Sequence, residues 1–477
     1  MEFTTINTLN NDVLFSVFNY YRLDNDNAWN VRLGWRKISH VCQRWRYLVY
    51  SIAFHLRMHI LCTNGTPTIG SLDHLPPLPL FIDYRDTTTT ATISKQDELA
   101  INHALLLRDR IRHIDLRLPP SILHKSLMIM DEPFPILEHL SLSSTTKEDT
   151  NSVLPKTFLA PNLRHLTCSA SIFQKDWMLS STVSLVTLDL KIIHASGYLL
   201  PGLFVARLRS LSQLEDLSIE FSIPLPRPSA ASELLGEQGN AVTLPNLKHF
   251  RFRGVSAYLE CFVAQIRAPL LERLDITLFN QVAFALPRLS RLIDTRAFKL
   301  PTARVCFGRK VFISVHHDTA RQHGPFILRV MCKELDWQID CAAQVCSTLM
   351  SILSGIQQVN LEYDRPPIPI KWENDEIDGT TWHELLRSFI GAKSLRVCNA
   401  LSKELSRALQ VDEVGLDPGL LPCLQEIELY EKRADTGNLF SSFVNARRVA
   451  DRPVRLLPEL SQALSANKHG EYFIFII

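Results

Sequence analysis

The sequence predicts an α/β chain in which an N-terminal three-helix module precedes a solenoid of strand-plus-helix units around a mainly parallel, curved sheet. Three observations predict it. A leucine-led phrase with an alternating strand core recurs along the chain, apolar segments at helical spacing lie between its copies, and the N-terminus carries an all-helical pattern instead. The expected boundaries are residues 1–62 for the helical module, 63–110 for a linker with a lead-in helix, and 111–477 for the array.

The helical module starts with LNNDVLFSVFNYY from Leu9. Asn10 or Asn11 can cap a helix there, and Asp12 falls in the first turn, where the macrodipole favours an acid. Leu9, Val13, Leu14, Val17, Phe18 and Tyr21 share one apolar stripe. After the polar run Leu23 to Asn30, Trp35, Ile38, Val41, Cys42, Trp45, Leu48 and Val49 recur at helical spacing, and two tryptophans so close together require cover. So short a module buries too little surface to be robust alone.

Leucine, an acid, apolar pairs and Val-Phe, followed after a loop by Ile-Ser-x-Val-Cys-x-x-Trp-Arg, resembles an F-box over roughly residues 5 to 60. The resemblance implies helices that dock on a Skp-type adaptor and through it on a cullin-RING ubiquitin ligase. It places Leu9, Val13, Leu14, Val17, Phe18, Val41, Cys42 and Trp45 in or beneath that interface. Two features depart from the family pattern: Asn10 stands where a proline is usual, and the loop before Trp35 is long. An alternative reading makes these helices only a cap that shields the first repeat, as terminal units of stacked arrays require.

The linker carries Leu75-Pro76-Pro77-Leu78-Pro79, which reads as a stiff extended spacer, and a short candidate strand at Leu80, Phe81, Ile82 and Tyr84. Ser94 and Asp97 make a capping-box-like start to a helix through Leu105.

The array is read from the phrase itself: LEHLSL at Leu137, LRHLTC at Leu163, LVTLDL at Leu185, LEDLSI at Leu214, LKHFRF at Leu247, LERLDI at Leu271 and LQEIEL at Leu424. Weaker copies lie at Ile111 and near Val305, Val359 and Val397. Strand cores recur about every 22 to 33 residues, which overlaps the period of leucine-rich repeats. Inward residues such as Leu140 and Leu142, or Leu274 and Ile276, can hide only against the next unit. Leu203 to Leu211 and Leu259 to Ile266 read as the intervening helical segments, and Pro135, Pro161, Pro245, Pro269 and Pro422 stop helices just before strands. The whole chain is similar to the mushroom-type fungal F-box proteins with irregular leucine-rich-repeat-like arrays. That similarity implies the substrate-recognition subunit of an SCF-type ubiquitin ligase, with an unidentified protein held by the array.

A formal charge of +2, from 51 basic and 49 acidic side chains, supplies no global field for nucleic acid or an anionic membrane. No apolar run reaches the roughly 20 residues of a membrane span, and no signal peptide is evident, so a cytoplasmic or nuclear protein is expected. Ten cysteines without paired spacing read as reduced thiols, and Asn64-Gly65-Thr66 reads as a turn. Two segments, 222–242 and 365–379, read as inserted loops that can contribute to binding. The acids Glu373, Asp375, Glu376 and Asp378 lack calcium-loop spacing and read as solvated charge.

No nucleophile elbow, phosphate loop, HExxH or paired CxxC is present in the sequence, so no catalytic residue, cofactor or metal is expected. His55, His59 and Cys62 would share a helical face but lack a fourth ligand. His316, His317, Cys332, Cys341 and Cys346 read as strand-edge and core residues. His113, His139, His165 and His249 each precede an inward strand residue, which puts them on one surface of a sheet where they can tune binding with pH.

Overall fold

A computed structural model of the 477-residue chain describes residues 9–24, 34–53, 58–65, 72, 77–85, 93–146, 153–169, 183–192, 198–222, 241–293, 298, 300–317, 324–332, 335–364, 379–410, 420–430 and 439–457. It comprises two units, residues 1–225 with 244–247 and residues 226–243 with 248–477.

The first unit opens with α1 (Asn11–Asp24). Asn10 is its cap: Oδ1 accepts the Val13 N–H at 2.8 Å, and Asp12 occupies the first turn. The apolar run from Trp35 to Val49 divides between α2 (Gly34–Ser39) and α3 (Gln43–Ser51). Cys42 makes the break. Its backbone is extended at φ −159° and its Sγ accepts the Trp45 N–H at 3.4 Å, so α3 starts afresh with a side-chain cap. Leu14, Phe18, Ile38, Trp45, Leu48 and Val49 are buried as the core of these helices. The Arg44 guanidinium pins α3 to the start of α1, donating to the Leu9 carbonyl at 2.7 Å and to Asn11 Oδ1 at 2.8 Å.

Seven parallel strands follow in chain order: β1 (Ile60–Cys62), β2 (Leu80–Arg85), β3 (Ile111–Leu118), β4 (His139–Ser144), β5 (His165–Ser169), β6 (Thr187–Ile192) and β7 (Asp216–Phe221). The ladder thus begins before the leucine phrase does, at β1 and β2. Residues 80–85 alternate buried and part-exposed positions without any leucine lead-in. Pairing register lines up two columns of inward residues, Ile82–Ile114–Leu140–Leu166–Leu188–Leu217 and Tyr84–Leu116–Leu142–Cys168–Leu190–Ile219. All twelve are at most 2% exposed. Each such side chain contributes about 1.5–3 kcal/mol by leaving water, and only a neighbouring unit can supply the cover.

Helices α4 (Lys95–Leu105) and α5 (Pro120–Ile129) pack on this sheet, and α6 (Pro201–Leu208) buries Phe204, Val205 and Leu208. Ser94 caps α4, its Oγ accepting the Asp97 N–H at 3.0 Å, while α5 and α6 each carry proline in the first turn, where no N–H is needed. The turns before the strands interlock: Asn162 donates to the Pro135 carbonyl at 2.7 Å and Asn246 to the Ser212 carbonyl at 2.9 Å.

In the second unit β8 (Val242–Thr243) pairs in parallel with β10 (Ile266–Arg267), apart from the main sheet. That sheet holds β9 (His249–Gly254), β11 (Arg273–Phe279), β12 (Thr302–Phe307), β13 (Val311–His316), β14 (Phe326–Met331), β15 (Gln358–Tyr363), β16 (Ser394–Cys398), β17 (Glu426–Tyr430) and β18 (Arg455–Leu457). Its spatial order departs from chain order once. β14 lies in parallel beside β11, β13 pairs antiparallel with both β14 and β12, and β12 lies in parallel beside β15. The register between residues 297 and 379, which the phrase leaves unreadable, is therefore a reversed three-stranded meander. The short connection Gly308–Lys310 closes its first hairpin, which permits only antiparallel pairing.

Around it lie α7 (Ser256–Val263), α8 (Pro287–Ile293), α9 (Leu335–Thr348), α10 (Met350–Leu353), α11 (Gly379–Arg387), α12 (Asn399–Ala408) and α13 (Ser441–Val449). Helix α9 carries the chain from β14 back toward β15 and packs on β12, β13 and α11. Buried Gln338 of α9 clips the hairpin, taking the Gly308 N–H at 3.0 Å and donating to the carbonyls of Gly308 at 2.6 Å and Cys332 at 2.9 Å. The inward columns continue through the meander, with Leu274–Phe326–Val315–Ala303–Val359–Leu395–Ile427 in one row. All ten cysteines are free thiols, seven of them buried. Among the described residues no helix is long and apolar enough to cross a membrane.

Candidate functional site

Two surfaces of the first unit gather chemically distinctive side chains. On the helical module, the eight residues assigned to an adaptor interface divide into two layers. Leu14, Phe18 and Trp45 are 0%, 0% and 8% exposed and hold the helices together. Val13, Val17 and Val41 stand outside at 42%, 45% and 53% exposure, while Leu9 and Cys42 are intermediate. The single stripe read from the sequence is thus split around α1. Val13 and Val17 align with Tyr20, at i, i+4 and i+7, along a shallow cavity of about 520 Å³ that Asp12 and Ser16 complete.

The second surface is the sheet face opposite the leucine columns. Parallel register places Phe81, His113, His139 and His165 in one row, each the Cα partner of the next. The rings form a continuous ladder. His59, just before β1, stacks on Phe81 with centroids 3.7 Å apart; Phe81 stacks on His113 at 5.1 Å, His113 on His139 at 4.1 Å, and His139 leans on His165 at 5.8 Å. The His165 Nδ1 lies 3.2 Å from Thr187 Oγ1 on β6.

One register step along the strands is a charged row. Asp115 Oδ2 pairs with Arg85 at 2.7 Å, and Arg85 also reaches Asp83 at 3.2 Å. Burial raises the Asp83 carboxyl above its usual range, opposed by Arg85 and assisted by Asp115. Burial lowers the His113 imidazole from 6.5 to about 3, with His139, Arg85, His59 and His165 adding to the effect. His139 is also lowered, chiefly by burial, although Asp115 acts the other way. At neutral pH His113 and His139 are therefore uncharged, with ring lone pairs available to a proton, a hydrogen-bond donor or a metal ion.

The corresponding face of the second unit is built from ion pairs and arginine–aromatic contacts. Asp275 pairs with Arg329, Arg304 with Glu362, and Arg396 with Glu428 at 2.9 Å. Phe312 of the antiparallel strand receives two guanidinium groups, Arg304 at 5.7 Å and Arg329 at 5.5 Å from its centroid. His249 belongs to this unit, on β9 opposite Arg273.

Other sequence candidates are placed differently. His59 and Cys62 do not share a helical face, because residues 60–62 are a strand; Cys62 is buried, which pushes its thiol up to about 12, while His59 stacks on Phe81. His55, the acids at 373–378 and nearly all of the two inserted loops lie outside the described residues. Cys332, Cys341 and Cys346 are buried, with Cys341 raised first by its bond to Cys332 and Cys346 by burial. His316 bonds to the His317 carbonyl at 3.0 Å on the edge of β13. Sequence reading missed Phe81, Asp115 and Arg85. Aligning FIDYR with HIDLR would have found them, since it puts Phe81 level with His113 and Asp83 with Asp115.

No protein-family model matches this chain, and no curated protein does. Among solved structures it is similar to a leucine-rich-repeat-containing protein from Legionella pneumophila, at 12% identity over 81% of this chain and 97% of that one, with a TM-score of 0.27.

Proposed function

We propose that this chain is a substrate-recognition subunit of an SCF-type cullin-RING ubiquitin ligase, with α1–α3 docking on a Skp-type adaptor and the open sheet faces holding a protein target. Its work is to bring two proteins together, and it performs no chemistry of its own. The observation that carries the reading is the layering of α1. Val13, Val17 and Tyr20 stay exposed at i, i+4 and i+7, above a separate core of Leu14, Phe18 and Trp45. A capped amphipathic helix with an uncovered apolar stripe is suited to a partner's groove. The sheet faces support the second half, because stacked rings and paired charges on a rigid ladder offer both area and polar register to a protein surface.

The layering also chooses the experiment. Leu14→Asp and Trp45→Ala would unfold the module and abolish docking for an uninformative reason. The Val13→Asp/Val17→Asp chain should stay folded, by far-ultraviolet circular dichroism, and should lose co-elution with purified adaptor by at least about tenfold in affinity. Retained co-elution of that folded variant would overturn the proposal.

A second reading, an interaction scaffold whose helices only cap the array, is favoured by a contact between the residues after α3 and those before β1, where the Met58 N–H bonds the Ala53 carbonyl at 2.9 Å. It predicts no adaptor binding by the intact chain and an array that melts at lower temperature once residues 1–53 are removed.

A further inference from the structure

We propose that His113, Asp115 and His139 form a binding site for a first-row divalent transition ion of the Zn²⁺ class on the open sheet face of the first unit. One ligand atom from each of the three lies within 4.8 Å of the other two. No short sequence motif brings them together; parallel register does, by setting His113 opposite His139 and placing Asp115 two residues further along the same face. Two imidazoles and one carboxylate are the donor set that zinc and its neighbours take, whereas calcium and magnesium select oxygen cages.

Two further features bear on the site. Arg85 pairs with Oδ2 of Asp115 at 2.7 Å and fixes the carboxylate as outer partners of metal ligands do. The rings of Phe81 and His165 flank the pair on either side. Coordination at about 2.0–2.1 Å needs the donors closer than they stand and the two stacked imidazoles turned out of parallel, because the ring lone pairs lie in the ring planes; rotation about χ2, a soft torsion, is the movement this requires. Three protein ligands leave a position for water on a face that a partner can reach. This inference is independent of adaptor docking.

The test uses the untagged full-length chain, stripped with a chelator and titrated with Co²⁺ alone, read by visible ligand-field absorption, then with Zn²⁺ as competitor. One Co²⁺ per chain, displaced by Zn²⁺ and not by Mg²⁺, is expected. His139→Gln and Asp115→Asn should each weaken binding by about tenfold or more, His113→Gln/His139→Gln should remove it, and His249→Gln should leave it unchanged. Circular dichroism verifies each fold, and Asp115→Asn keeps the test decisive where a histidine variant does not fold. Absence of a saturable one-to-one signal, or a signal that survives the double histidine variant, overturns the proposal.

Discussion

Phe18 of α1 meets Trp45 of α3 edge to face, with ring centroids 5.0 Å apart at 67°. This pair is the centre of a module too small to spare it. Trp45→Ala should cost about 3–5 kcal/mol, on the order of everything so small a core supplies. Amide exchange across Asn11–Ser51 should accelerate while β4–β6 keep their protection. Unchanged protection in α1 and α3 would show that the aromatic pair is not what holds them.

Gln338 ties α9 to the β12–β13 turn through two bonds to Gly308 and to the end of β14 through a third, to the Cys332 carbonyl. Gln338→Leu keeps much of the volume but strands the Gly308 and Cys332 groups without partners, a loss of about 1–3 kcal/mol. The urea midpoint should fall with the slope unchanged. A wild-type midpoint would mean that water replaces the amide at little cost.

Gly324 and Gly65 are required for different reasons. A Cβ on Gly324 would lie 2.0 Å from the Val315 carbonyl oxygen, a backbone atom that cannot swing away. Gly65 has φ +73° with nothing within 4 Å, so alanine there meets only conformational strain of about 1–2 kcal/mol. Gly324→Ala should therefore lower the melting temperature more than Gly65→Ala. The reverse order would contradict the close approach between β13 and β14.

Acid should weaken the first unit through its histidines. The folded chain holds His113 at about 3 and His139 below its ordinary value, against 6.5 for an unperturbed imidazole. Below about pH 6.5 the unfolded chain takes up protons that the folded one refuses, so stability falls with pH until His113 itself titrates. The groups facing this pair are His59, Arg85, Asp115 and His165. In chelator-treated protein, the loss between about pH 7 and pH 5 should shrink in His113→Phe, which extends the stack of Phe81. An identical pH slope in the variant would assign the acid sensitivity elsewhere.

Much of the fold was legible because its signal is local. Every leucine phrase from Leu137 to Leu424, and each weak copy at Ile111, Val305, Val359 and Val397, falls on a strand. Strand β1 lacks the phrase and falls in the segment read as helical module, while β2 matches the short candidate strand at Leu80 to Tyr84 but falls in the segment read as linker. In the module, helical spacing identified the apolar residues of α1 but could not say which would face inward. That depends on where Trp45 and Ile38 arrive from another helix.

Sequence by itself determined which residues alternate, where helices start, and that each unit leaves one apolar side in need of a neighbour, because period and capping are properties of adjacent residues. Tertiary structure alone decided the reversed order of β12 to β14, the division of α1 into core and exposed stripe, and the meeting of His113 with Asp115 and His139. The first and last depend on register between strands distant in sequence, His113 and His139 being 26 residues apart, and the second on how α2 and α3 pack on α1; none of these is a property of adjacent residues.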